Sequence, residues 1–175
     1  MKKILAFAGS NSKTSINKQL ASYAASLVEN VIFDVADLND YKLPVFSLEI
    51  EAEGFPKAAN DFNELLSNYD GFIISLAEHN GAYSVAFKNI FDWTSRIDRK
   101  VFKDKPVLLM ATSPGARGGV SVLEMASGTF PHLGGKVVSK FSLPSFYDNF
   151  KDGALSDGEL KESLVKAVEE FKESI

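Results

Sequence analysis

The chain has no cysteine among its 175 residues, which excludes disulfides, thiolate catalysis and cysteine-held metal or iron–sulfur centres. It also lacks a basic excess. Its 19 Lys+Arg against 23 Asp+Glu leave a formal charge of −4, contrary to the positive surface that nucleic acid or an anionic membrane would select. The histidines, His79 and His132, stand far apart and make no metal motif. Long apolar runs are missing as well. Lys2 and Lys3 precede Ile4–Ala8, but that run stops at Gly9-Ser10, short of the roughly 7–15 apolar residues of a secretory signal. Nothing approaches the roughly 20 residues that span a bilayer. The expectation is a cytoplasmic protein with neither a membrane nor a nucleic-acid partner, folded as one domain over residues 1–175.

What the chain does contain is alternation. Short apolar runs at Lys3–Ala8, Val31–Val35, Phe72–Ala77, Val107–Thr112 and Lys136–Phe141 read as strands. Two of them, around Phe72 and Val107, are almost continuously apolar, as parallel strands covered on both faces should be. Between them lie helical repeats. Ile16, Leu20, Ala24 and Leu27 fall on one face, as do Ala58, Phe62, Leu65 and Tyr69, and then Ala86, Ile90, Trp93 and Ile97. A fourth helix is expected from Val120 to about Phe130, before Pro131. A fifth should run from about Ser156 to Ser174, opened by a Ser156-x-x-Glu159 capping box. Strict alternation of this kind means a parallel sheet with helices on both sides, and right-handed crossovers leave few topologies, the order 2-1-3-4-5 among them. Asn39–Phe55 is a longer connection, read as partly an interaction surface.

In such sheets ligands bind beyond the carboxyl ends of the strands. Three segments leave strand ends there: Gly9-Ser10-Asn11-Ser12-Lys13-Thr14-Ser15-Ile16-Asn17, Glu78-His79-Asn80-Gly81, and Ser113-Pro114-Gly115-Ala116-Arg117-Gly118-Gly119. All three should converge on one crevice. The first combines hydroxyls with the unpaired amides of a helix start, which makes an anion site. Ser10, Ser12, Ser15 and Asn17 can each donate to phosphate oxygens. The segment is neither G-x-x-x-x-G-K-[ST] nor G-x-G-x-x-G, so a nucleoside triphosphatase and a standard dinucleotide fold are disfavoured.

Gly9-Ser10, Ser15-x-Asn17, Glu78-x-Asn80-Gly81 with Lys88-Asn89-x-x-Asp92-Trp93, and Ser113-x-Gly115-x-x-Gly118-Gly119 stand in the order of a known family. From Met1 to about Phe141 the chain resembles the NADPH-dependent FMN reductases, a family that includes quinone, azo-dye and chromate reductases. The resemblance implies a flavodoxin-like three-layer α/β fold with a five-stranded sheet in order 2-1-3-4-5. It implies FMN as cofactor, with Ser10, Ser12, Ser15, Ile16 and Asn17 at its phosphate. Ala77, Glu78, His79, Asn80 and Gly81 would lie along the ring and ribityl chain. Ser113, Pro114, Gly115, Gly118 and Gly119 would approach the other side of the ring, the glycines leaving room for it. NADPH or NADH would be the co-substrate and a small-molecule electron acceptor would follow it. No residue is assigned as catalytic, because the chemistry would reside in the flavin. A homodimer or tetramer through the helix of Lys88 and Asp92 is implied too.

The sequence departs from the family where Ser12 replaces an arginine beside the phosphate, with Lys13 next to it, and where His79 replaces a tyrosine. Either His79 donates a proton near the flavin, or only its backbone matters. Glu78 is read as an interface group in preference to a lip of the pocket. Arg96 and Arg99 offer cations for a nucleotide phosphate or for a dimer surface, and Arg117 is the better nucleotide candidate. A flavodoxin-type electron carrier and an FMN-binding regulatory protein are the alternatives to an enzyme. The first is disfavoured by the mild charge and by the lack of a Ser/Thr-x-Thr-Gly-x-Thr loop.

Overall fold

A computed structural model describes Met1–Ile175. In chain order the elements are β1 (Lys2–Gly9), α1 (Ile16–Ser26), β2 (Val31–Ala36), α2 (Leu48–Glu53), α3 (Lys57–Ser67), β3 (Gly71–Leu76), β4 (Glu78–His79), β5 (Ala82–Tyr83), α4 (Val85–Ile97), β6 (Lys105–Thr112), α5 (Val120–Thr129), β7 (Gly135–Leu143), α6 (Phe146–Asn149), β8 (Phe150–Lys151), β9 (Ala154–Leu155) and α7 (Glu159–Ser174). β1, β2, β3, β6 and β7 form one parallel sheet in the order β2-β1-β3-β6-β7, the flavodoxin-like arrangement expected from the alternation.

Side chains alternate across that sheet and build two cores. Leu5, Phe7, Phe72, Ile74, Val107 and Leu109 face α3, α4 and α5. Ile4, Ala6, Ile73, Leu108 and Met110 face α1 and α7. Because both faces are covered, every residue of β3 is buried, which is why its sequence shows no polar alternation. β2 is an edge strand, and Ile32, Phe33 and Val35 remain partly exposed on it.

Several local expectations shift. Helix α3 turns Ala59 and Leu66 fully inward beside Phe62, while Ala58, Leu65 and Tyr69 are half-buried. The Ser156-x-x-Glu159 capping box does not form, since α7 starts from Gly158 and no side chain caps it. Asn39–Phe55 is not a bare loop. It carries a short helical turn at Leu38–Asp40 as well as α2. It is fastened to α4, where the Trp93 indole N–H donates to the Pro44 carbonyl at 2.9 Å and Phe46 packs edge-on against Trp93 at 5.0 Å. No helix is long and apolar enough to cross a membrane.

Candidate active site

The first turn, between β1 and α1, is built to present donors. Ser15 caps α1 by accepting from the Lys18 amide at 3.1 Å, and the Ser12 amide donates to the Ser10 hydroxyl oxygen at 3.2 Å. Both hydroxyls therefore accept internally, which leaves their protons free to donate outward. The amides of Ile16 and Asn17, in the first turn of α1, have no partner within the chain. Ser10, Ser12, Ser15, Ile16 and Asn17 all line one cavity of about 230 Å³.

Asn17 plays a second part that the spacing did not reveal. Its side chain is buried, and its Oδ1 accepts from the Ser75 hydroxyl at 2.7 Å and from the Thr112 amide at 3.1 Å. Its Nδ2 donates to the Thr112 carbonyl at 3.2 Å. One amide thus ties α1 to β3 and β6 at the level of the cavity floor. The Asn17 main-chain N–H has no partner within the chain, whereas its side chain is engaged in this tie.

The second turn brings Ala77, Glu78 and His79 to the same cavity. The chain does not run directly from β3 into a helix there. Glu78 and His79 pair with Tyr83 and Ala82 in a two-residue hairpin. Asn80 and Gly81 form its tip at φ 52° and 76°, the positive values that a tight hairpin turn demands. These two residues are outside the cavity lining and shape the turn instead. An Asn-Gly pair between short runs is a strong hairpin signal, so this element was legible and was missed.

The Glu78 side chain lines the cavity and has a further role that the sequence did not reveal. Its Oε2 accepts from the Val122 amide at 3.0 Å, in the first turn of α5. Gly119 precedes that helix and has no side chain to cap it, so the carboxylate supplies from across the crevice what the local sequence lacks. His79 is exposed on the hairpin and makes no side-chain hydrogen bond.

From the third turn, Ser113 and Pro114 line the cavity, whereas Gly115, Gly118 and Gly119 do not. The buried glycines are explained by the chain itself. A Cβ on Gly118 (φ 58°) would sit 2.5 Å from the Ser142 hydroxyl and 2.9 Å from the main chain at Leu143 and Pro144. One on Gly119 (φ 74°) would meet the Ala111 methyl at 2.9 Å. The Gly115 carbonyl accepts from the Ser145 amide at 2.9 Å, which anchors this turn to the segment after β7. Arg117 is exposed and donates to the Ser121 hydroxyl at 2.9 Å. Arg96 lies elsewhere, paired with Glu51 at 2.7 Å, and Lys88 pairs with Asp92 at 2.7 Å on α4 as its spacing suggests. His132 is exposed beyond α5.

Thr14, Thr112 and Tyr147 complete the lining, and none of them was singled out from sequence. Tyr147 comes from α6, 64% exposed at the mouth, in a part of the chain beyond the recognised motifs. No lysine or arginine lines the cavity, so its donors at the start of α1 are hydroxyls and main-chain amides. The volume is below the roughly 300–1,000 Å³ of typical ligand pockets.

The chain has relatives among known proteins. The chain is 36% identical over 118 residues to a 2-hydroxy-1,4-benzoquinone reductase from a Burkholderia species, an alignment that spans 66% of this chain and 63% of that relative's length. It is 30% identical over 179 residues to a probable NADPH:quinone oxidoreductase 1 of rice, covering 95% of this chain and 88% of that one. Among solved structures, the flavoenzyme NAD(P)H:(acceptor) oxidoreductase FerB of Paracoccus denitrificans shares the fold with a TM-score of 0.79 at 23% identity, over 99% of this chain and 97% of its own. The family model for NADPH-dependent FMN reductase matches residues 2–148, all three turns included, and the chain belongs to that family.

Proposed function

We propose that the protein is an NAD(P)H-dependent oxidoreductase that holds FMN across the three turns and serves small acceptors, quinones among them. The observation that carries this reading is the convergence of three separate strand ends on one cavity whose outward groups are donors. Bound there, FMN supplies the redox chemistry, taking hydride from a nicotinamide and passing it on. The chain's own task is position. The Ser10, Ser12 and Ser15 hydroxyls and the Ile16 and Asn17 amides hold the phosphate at the positive end of α1. The main chain from Ala77 to His79 flanks the ring on one side, Ser113 and Pro114 on the other, and Tyr147 shields the mouth. Asn80, Gly81, Gly115, Gly118 and Gly119 act by shaping the turns.

No side chain is needed as a nucleophile. Nicotinamide and acceptor use the same open face in turn, and substituted-enzyme kinetics follow. The names of the relatives support a quinone-type acceptor and either nicotinamide. A homodimer through α4, where Val85 is 73% exposed beside the Lys88–Asp92 pair, and residence in the cytoplasm complete the reading. The test is anaerobic. FMN-loaded protein mixed with NADPH or NADH should bleach its visible flavin band rapidly, and initial-rate plots against a quinone should be parallel. Slow bleaching with both nucleotides points to an electron carrier, and intersecting plots contradict the shared face.

A further inference from the structure

A second cavity, of about 560 Å³, lies beside the first beyond the ends of β1 and β2. The two share one stretch of chain. Ser10, Ser12 and Thr14 face the smaller cavity, while Asn11 and Lys13 face the larger. Leu38, Tyr41, Leu43 and Ile90 give the larger cavity an apolar and aromatic wall, and the wall is fixed by hydrogen bonds. Asn39 Nδ2 donates to the Asn11 carbonyl at 3.2 Å and to Asp37 at 2.8 Å. Asn89 bridges the Phe46 amide and the Pro44 carbonyl, both at 2.9 Å.

Charge is what distinguishes this cavity. Its carboxylate, Asp37, is held by Lys18 at 2.6 Å and by the Asn39 amide at 2.9 Å, contacts that keep its pKa below the usual carboxylate range. Lys13 and Lys42 are exposed on the rim and pair with no carboxylate. Asp40 and Asp61 approach Tyr41, but Asp61 is held by Lys57 at 2.6 Å, so the two free lysines outnumber the one free carboxylate. In dinucleotide folds that select an unphosphorylated ribose, a free acid at the end of the second strand accepts the ribose hydroxyls and repels a 2′-phosphate. Asp37 stands just beyond β2, yet Lys18 and Asn39 already occupy it.

We propose that this cavity takes the 2′-phosphorylated adenosine end of NADPH, with Lys13 and Lys42 on the 2′-phosphate and the base against Tyr41 and Leu43. The dinucleotide then straddles the Ser10–Lys13 turn, its nicotinamide reaching the flavin site. This inference depends on the reductase reading, and it makes NADPH the preferred nucleotide.

Calorimetric titration of the FMN-loaded protein with adenosine 2′,5′-bisphosphate, ADP and inorganic phosphate tests it without turnover. The bisphosphate should bind about tenfold tighter than ADP, the scale of one charge-assisted contact. Lys42→Gln should cost the bisphosphate about fivefold, Lys42→Glu more, and Lys140→Gln on β7 nothing. The ratio of kcat/KM for NADPH over NADH should fall in the same proportion. Equal affinity for the two nucleotides, indifference to Lys42→Glu, or equal competition by inorganic phosphate would overturn the subsite. Failure of either nucleotide to reduce the flavin, with discrimination by the 2′-phosphate intact, would instead sink the reductase reading alone.

Discussion

The two cavities on either side of the Ser10–Lys13 turn are equipped for anions in opposite ways. The smaller one has hydroxyls, unpartnered amides and a helix start, with no cation in its lining, and its frame is pinned by Asn17 and Glu78. The larger one has two lysines on its rim that pair with no carboxylate. Fixed dipoles need no reorganisation when an anion arrives, so they suit a group that stays bound. A flexible, strongly hydrated ammonium holds its partner less rigidly, so it suits a group that must leave on every cycle. On the proposed reading, the resident phosphate and the visiting one are separated by the rigidity of their partners more than by charge.

Breaking the rigid side at its centre should have the largest effect. Asn17→Ala leaves the Ser75 hydroxyl and the Thr112 amide unpaired in the interior, a cost of about 3 kcal/mol in thermal or denaturant unfolding, with FMN affinity lost alongside. An unchanged melting temperature would show that the tie across β3 and β6 is dispensable. Giving the small cavity a cation sharpens the contrast in the other direction. Ser12→Arg should tighten FMN binding by about tenfold, read by fluorescence quenching, and should make that binding more salt-sensitive. Glu78 is a subtler probe, because its carboxylate holds the start of α5 by one hydrogen bond. Glu78→Ala should destabilise by about 1 kcal/mol and Glu78→Gln by less, since the amide oxygen still caps α5. Equal losses from both would mean that charge at the helix start matters more than the hydrogen bond.

The smallest expected effect lies away from both cavities, at the edge strand. The Tyr69 hydroxyl donates to Asp34 at 2.8 Å, and burial, then that bond, push its pKa up to about 12. A raised folded-state pKa adds stability that is complete below the unfolded value near 10 and disappears as pH climbs to about 12. Tyr69→Phe should therefore lower stability slightly at neutral pH, where the bond is intact, and flatten the decline between those two values.

How much of this was legible depended on whether a signal was local. That the sheet is parallel and covered on both faces was legible from the apolar runs of β3 and β6, which no amphipathic helix shows. The donor-rich start of α1 was legible because capping residues lie beside the amides they expose. The reason for Gly118 was not, since the atoms that exclude a Cβ come from Ser142 to Pro144, about two dozen residues on. The tie from Glu78 to α5 was not legible for the same reason, its partner being 44 residues away. Tyr147 carried no motif at all and enters only because α6 folds back to the mouth. The hairpin at Asn80-Gly81 is the exception, a local signal read past because a helix was expected to follow β3 directly.

The most direct check is a paired titration of flavin-free protein with FMN and with riboflavin, which differ only in the phosphate. If hydroxyls and main-chain amides at the start of α1 hold that phosphate, FMN should bind at least ~100-fold more tightly, equivalent to two charge-assisted hydrogen bonds. Equal affinities, or no uptake of either flavin, would contradict the assignment of the Ser10–Asn17 turn.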